Sequence, residues 1–151
     1  MGYTHYFTQT RNLTQDEWDL LARETVSIIK KSGIDIVDWD GEVGSKYTVD
    51  NDEIIFNGSG EDSHETFALS RIGDGFSFCK TAGKDYDVVV TAVLSAVQAI
   101  APGAYAIASD GDQSDWEAGI ALADYVMDED VAMAMSTVFA DWAKSREEYA
   151  Y

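Results

Sequence analysis

The sequence contains one cysteine, one proline, two histidines and ten basic residues in a chain of 151. A lone cysteine, Cys79, can make no internal disulfide, so the fold does not depend on an oxidising compartment. A cysteine-rich zinc site is excluded, and His5 and His64 are too few for a histidine-rich one. The start of the chain shows no basic region followed by an apolar one, so no secretory leader is expected. The longest apolar stretch, Val88 to Ala101, is broken by Thr91, Ser95 and Gln98 and is too short to span a bilayer. There is no glycine-rich loop ending in Gly-Lys-Ser/Thr, and no second histidine follows His64-Glu65 at metalloprotease spacing. These absences leave a soluble, cytoplasmic protein as the expectation, with no metal, no cofactor and no assigned catalytic residue.

Acid is abundant. There are 28 Asp and Glu against 10 Lys and Arg, a formal net charge of −18. A general nucleic-acid binder needs Lys and Arg for phosphate contacts, so direct nucleic-acid binding is not expected. Hydrophobic residues at 46% and aromatics at 12% set the chain apart from a disordered acidic tail and are enough for a core. The charge is uneven. Residues 104–151 hold 11 acids and 2 bases, whereas residues 58–103 hold 6 acids and 3 bases, Arg71, Lys80 and Lys84. An acidic surface of this kind keeps a protein soluble or suits high salt. It also fits a protein that imitates nucleic acid toward a basic partner.

Periodicity predicts the elements. Residues 3–10 alternate as a strand, with Tyr3, His5 and Phe7 on one face and Thr4, Tyr6 and Thr8 on the other. Thr14 and Glu17 form a capping box for a helix over 15–32, which ends at Gly33. Residues 34–53 read as a short strand and an exposed loop. Strands follow at 53–57, 64–70 and 76–80, the last two joined as a hairpin through Gly73-Asp-Gly75. A helix over 86–101, a strand over 105–109, a helix opened by Ser114 and Glu117, and a last helix capped by Asp130 complete the chain. The order predicts a single α+β domain over 1–151. Its sheet is expected to be antiparallel and ferredoxin-like with an added strand, followed by C-terminal helices, residues 128–151 being an acidic helical extension.

Several motifs bear on chemistry. Asp110, Asp112 and Ser114 begin like a calcium loop, but Asp115 stands where glycine is required and Ala121 where the bidentate glutamate is required. Cys79 on a strand is a small core residue, or a nucleophile if His5 or His64 lies beside it. The segment 78–87 runs from a strand end through Lys80, Thr81 and Lys84 to a helix start, whose free N–H groups could hold a phosphate or carboxylate. Asp85 and Asp87 supply the same helix start with negative charge of its own.

Taken together, Met1-Gly-Tyr-Thr-His-Tyr-Phe7, Phe56-Asn-Gly58, His64-Glu-Thr-Phe67, Phe78-Cys-Lys-Thr-Ala82 and Lys84-Asp-Tyr-Asp87 resemble an uncharacterised family of proteins from bacteriophages and prophage-bearing bacteria. Ser109-Asp-Gly111 and Trp116 also fit, and the resemblance runs from residue 1 to about 125. Phe7 stands where tryptophan is usual and Asp85 where proline is usual. The resemblance implies a viral origin and supplies no activity. It directs attention to His5, Asn57, His64, Lys80 and Tyr86, a composition suited to a polar ligand pocket. The leading expectation is therefore a virus-encoded, non-enzymatic binding protein in counter-defence. It would hold a small polar or nucleotide-like ligand with these five residues. The alternatives are an acidic inhibitor docking on a basic host protein, and a small hydrolase or transferase using His5 or His64 as base.

Overall fold

The computed structural model describes residues 3–73 and 75–148. The chain runs β1 (Thr4–Gln9), α1 (Gln15–Ser32), β2 (Ile36–Val37), β3 (Thr48–Val49), β4 (Glu53–Gly58), a 3-10 turn (Gly60–Asp62), β5 (Phe67–Ser70), β6 (Gly75–Lys80), α2 (Asp87–Ile100), β7 (Tyr105–Ser109), α3 (Gln113–Met127) and α4 (Val131–Glu148). This is the expected α+β class in one domain, with antiparallel sheets and C-terminal helices. The strands are divided between two sheets. One has the order β6-β1-β7, all antiparallel. In the other, β4 is central, with β3 and β5 paired along Ile54 and Ile55 and β2 meeting it at Asn57 and Gly58.

The expected hairpin over 64–80 does not form. β5 pairs with β4, whereas β6 pairs with β1. The segment before β5 meets the end of β6, where the Glu65 N–H donates to the Lys80 carbonyl at 3.2 Å. Phe67 decides the split. It is fully buried between Phe56 of β4 and Phe7 of β1, with ring centroids 4.9 and 5.4 Å away. Pairing with β6 would forfeit the contact with Phe56. The strand accordingly starts at Phe67, so His64 lies before it, and Asp74 in the expected turn lies outside the described residues.

The helices form as their ends dictate. Thr14 and Glu17 make the capping box of α1, and Gly33 closes it in the left-handed region at φ 70°. α2 is buried from Val89 to Gln98 because α1, α3 and α4 pack around it and β7 lies beneath. Each fully buried Val or Leu there contributes about 1.5–3 kcal/mol, which outweighs the low helix propensity of its β-branched residues. α3 starts two residues earlier than predicted. Asp112 is its cap and Asp115 completes the box, in place of Ser114 and Glu117. Asp130 accepts from the Met133 N–H at 3.0 Å, in keeping with its capping role. α4 buries Val131, Met135 and Val138 in the common core, so this stretch of the predicted extension is built into the domain. Among the described residues no helix is long and apolar enough to cross a membrane.

Candidate functional site

β1 and β6 are antiparallel neighbours in one sheet: His5 stands opposite Cys79 and Thr4 opposite Lys80. The alternation of β1 sends His5, Phe7 and Gln9 inward, while Tyr6 and Thr8 face the other way. His5 is 0% exposed. Its Nε2 lies 2.6 Å from Asp87 Oδ1 and its Nδ1 lies 2.8 Å from Ser109 Oγ. A carboxylate can only accept, so Nε2 carries a proton, and in the neutral imidazole Nδ1 then accepts from the Ser109 hydroxyl. Asp87 Oδ1 also accepts from Thr81 Oγ1 at 2.6 Å, and Ser109 Oγ accepts from the Gly111 N–H at 3.0 Å. Asp87 thereby fills the helix start at which an anion was considered, and Thr81 is committed to it.

Ser109, His5 and Asp87 follow the connectivity of a nucleophilic triad. The signal for this is absent from the local sequence, because the three come together only through the β1–β7 pairing and the placement of α2. The trio is closed. The imidazole is wholly buried between Trp116 and Tyr3, with ring centroids 5.0 Å away on each side. Two cavities, of about 310 and 330 Å³, are lined by none of the three residues. The trio therefore ties the start of α2 to the ends of β1 and β7.

The other four predicted residues meet at an adjoining junction centred on Glu65. The Tyr86 hydroxyl donates to the Glu65 carbonyl at 2.6 Å, and the Cys79 thiol donates to the same oxygen at 3.4 Å. The Lys80 N–H donates to the Glu65 carboxylate at 2.8 Å. Asn57, 2% exposed, uses its whole amide. Nδ2 donates to the carbonyls of Trp39 and His64, both at 3.0 Å, and Oδ1 accepts from the N–H groups of Gly58 at 2.8 Å and His64 at 3.0 Å. Gly58 is glycine because a Cβ there would meet the Asp62 carbonyl carbon at 2.9 Å and the Tyr86 ring at 3.0 Å. Asn57 and Tyr86 thus act as clamps between segments, with both donors and the acceptor of the Asn57 amide and the hydroxyl proton of Tyr86 engaged within the chain. The side chain of His64 is exposed and that of Lys80 half-buried, and among the described residues neither makes a hydrogen bond or ion pair. Burial pushes the Tyr86 hydroxyl and the Cys79 thiol up, the thiol to about 12, so Cys79 is a core thiol.

The bases of the middle segment are dispersed. Lys84 Nζ donates to the Glu61 carbonyl at 3.1 Å. Arg71 serves the junction between the sheets, its carbonyl accepting from the Leu13 N–H and from Gln9 Nε2, each at 3.0 Å. The cavity beside Tyr86 is lined by Asp35, Asp62 and Asp85, a field hostile to phosphate. Asp110, first residue of the calcium-like stretch, spends its carboxylate on the Thr4 N–H and the Tyr6 hydroxyl. Among the described residues no group of three His, Cys, Asp or Glu is placed to hold a metal ion.

A different surface is uncommitted. The outer face of the β6-β1-β7 sheet carries Phe76 and Phe78, 62% and 54% exposed, beside Tyr6. The Tyr6 and Phe76 rings stack with centroids 6.0 Å apart, and Phe76 and Phe78 are 5.9 Å apart. Ala106 and Ala108 continue the face on β7, both exposed. The alternation of β1 and β6 puts the three rings on one face. No protein-family model, curated protein or solved structure matches the chain.

Proposed function

We propose that the chain is a non-enzymatic binding protein whose outer sheet face docks on a basic protein partner. The observation that carries the reading is the trio Tyr6, Phe76 and Phe78, a contiguous aromatic surface with both phenylalanines more than half exposed, in a chain of net charge −18. Exposed aromatics in a contiguous patch are characteristic of interaction sites, where they supply contact area at low entropic cost. The charge selects the partner: a basic surface is attracted and an acidic one repelled, with an association rate that falls steeply as salt rises. The saturated amide of Asn57 and the acid-lined cavity at Tyr86 weigh against a small phosphorylated ligand. In the setting that the phage resemblance implies, the partner would be a basic defence protein in the host cytoplasm.

The test uses synthetic heptapeptides as stand-ins for the partner surface, measured by fluorescence titration at low and high salt. An alternating Lys-Val peptide should bind at low salt. An alternating Glu-Val peptide should not. The double variant Phe76→Ser, Phe78→Ser should lose most of the affinity while keeping its melting temperature, since both side chains already face water. Unchanged affinity in that variant would reject the docking face.

A further inference from the structure

The two edges of the β6-β1-β7 sheet are treated differently. In an antiparallel strand, the N–H and C=O of alternate residues point to opposite edges. At β7 the outward set is Tyr105, Ile107 and Ser109, because the N–H of Asp110 is bonded inward to the Thr4 carbonyl. That edge is closed by α4: Trp142 Nε1 donates to the Ile107 carbonyl at 2.8 Å. At β6 the outward set is Lys80, Phe78 and Phe76. The groups of Lys80 are taken by Glu65. Those of Phe78 and Phe76 face outward on the same edge, and among the described residues no hydrogen bond outside the β1 ladder reaches them.

We propose that β6 is a strand-addition site, and that its occupant is an extended basic polypeptide segment with apolar residues at alternate positions. This rests on the docking face argued above and specifies how the partner engages it. Two N–H donors and two carbonyl acceptors on Phe76 and Phe78 would give backbone affinity, and the rings of the same two residues would select apolar side chains on the outer face. An open, aromatic edge is ordinarily a template for self-pairing. Here charge decides the occupant. A second copy would bring another −18 against the first, whereas a Lys- or Arg-bearing strand is drawn in. A single nucleic-acid strand could stack on the same rings, but its phosphates would meet that field with Lys80 as the one cation in the register rows of this face.

Backbone N-methylation of the probe separates strand addition from side-chain docking alone. The Lys-Val heptapeptide is synthesised with N-methyl groups on all lysines, on all valines, or on none. A strand bonds an edge through one alternate set of amides, so one methylated peptide should bind at least tenfold more weakly than the unmethylated one, and the other within about threefold of it. The double Phe variant should weaken all three. Equal affinity for all three peptides, still lost in the Phe variant, would overturn strand addition and leave the docking face standing. Absence of binding by every peptide would overturn both. Binding of a ten-residue oligothymidine in place of the peptides, or a concentration-dependent dimer by sedimentation, would overturn the assigned occupant.

Discussion

Asn57 offers a decisive test of whether the junction at the start of α2 is structural. Replacing it by alanine removes four hydrogen bonds at once. The costs are unequal. The Gly58 N–H is buried and would be left without a partner, at about 1–3 kcal/mol. The two groups of His64 lie near solvent, so each lost bond costs only about 0.5–1.5 kcal/mol. The Trp39 carbonyl keeps a bond from Thr66 Oγ1 at 2.6 Å and adds little. Together these come to roughly 2–6 kcal/mol, which lowers the melting temperature by about 5–20 °C for a chain of this length. Urea unfolding followed by tryptophan fluorescence measures it, and the slope with denaturant should not change. Asn57→Asp is the control. It keeps an acceptor for the two N–H groups but sets a second oxygen against two carbonyls, so its deficit should shrink in acid, where the carboxyl can donate. A loss below 0.5 kcal/mol for Asn57→Ala, about the lower bound for one ordinary hydrogen bond, would refute the clamp and return Asn57 to the list of ligand-binding candidates.

Gly119→Ala tests the packing of α3 on α2. Alanine gains about 1 kcal/mol of helix propensity over glycine, but its Cβ would lie 2.7 Å from Thr91 Cβ and 2.9 Å from the Ala92 nitrogen. Overpacking of about 1–3 kcal/mol or more should win, so the variant should unfold at lower temperature in a calorimetric scan; a gain in stability would show that the two helices separate freely. Glu17 gives the chain a pH signature. Its bonds from Arg11, and then from the Thr14 N–H, pull its carboxyl down to about 2. The ordinary glutamate value is about 4.3, so its stabilisation is complete above that pH and is lost as pH falls toward 2. The stability difference between wild type and Glu17→Gln, read from urea midpoints, should close over that window and stay flat from pH 6 to 8.

Where a motif is local, the sequence was sufficient. Thr14 with Glu17 and the Gly33 stop placed α1, and the alternation of residues 3–10 put His5 and Tyr6 on opposite faces. The reading failed where several local choices are equally good and a distant contact decides. Asp110, Asp112, Ser114 and Asp115 can all cap a helix, and backbone geometry chose Asp112. The Gly-Asp-Gly turn favours a hairpin as strongly as a crossover between sheets, and Phe67 chose Phe56. The alternation and order of the strands could suggest that His5 and Lys80 share a sheet, as they do, whereas Asn57 belongs to the other sheet. The hydrogen-bond partners of His5 and Lys80 could not be guessed, since Asp87, Ser109 and Glu65 come from elsewhere in the chain. Polar residues that core packing would not call for are as much the mark of a buried junction as of a ligand pocket, and only partner counting distinguishes the two.

β1 is the first strand of the chain and the middle strand of its sheet. Both of its neighbours come late: Thr4 pairs with Lys80 and His5 with Ser109. During synthesis the β4-centred sheet, contained in residues 36–70, can assemble as soon as it has emerged. β1 must wait for residue 80 before its first edge can pair with β6, and for residue 109 before its second can pair with β7. Loop closure over such separations is slow relative to local contacts. The nascent chain therefore carries a strand of alternating aromatics with both edges open for about the first half of its translation, and the acidic residues that follow it, from Asp16 to Glu53, give that exposed segment a charge that opposes pairing with another copy.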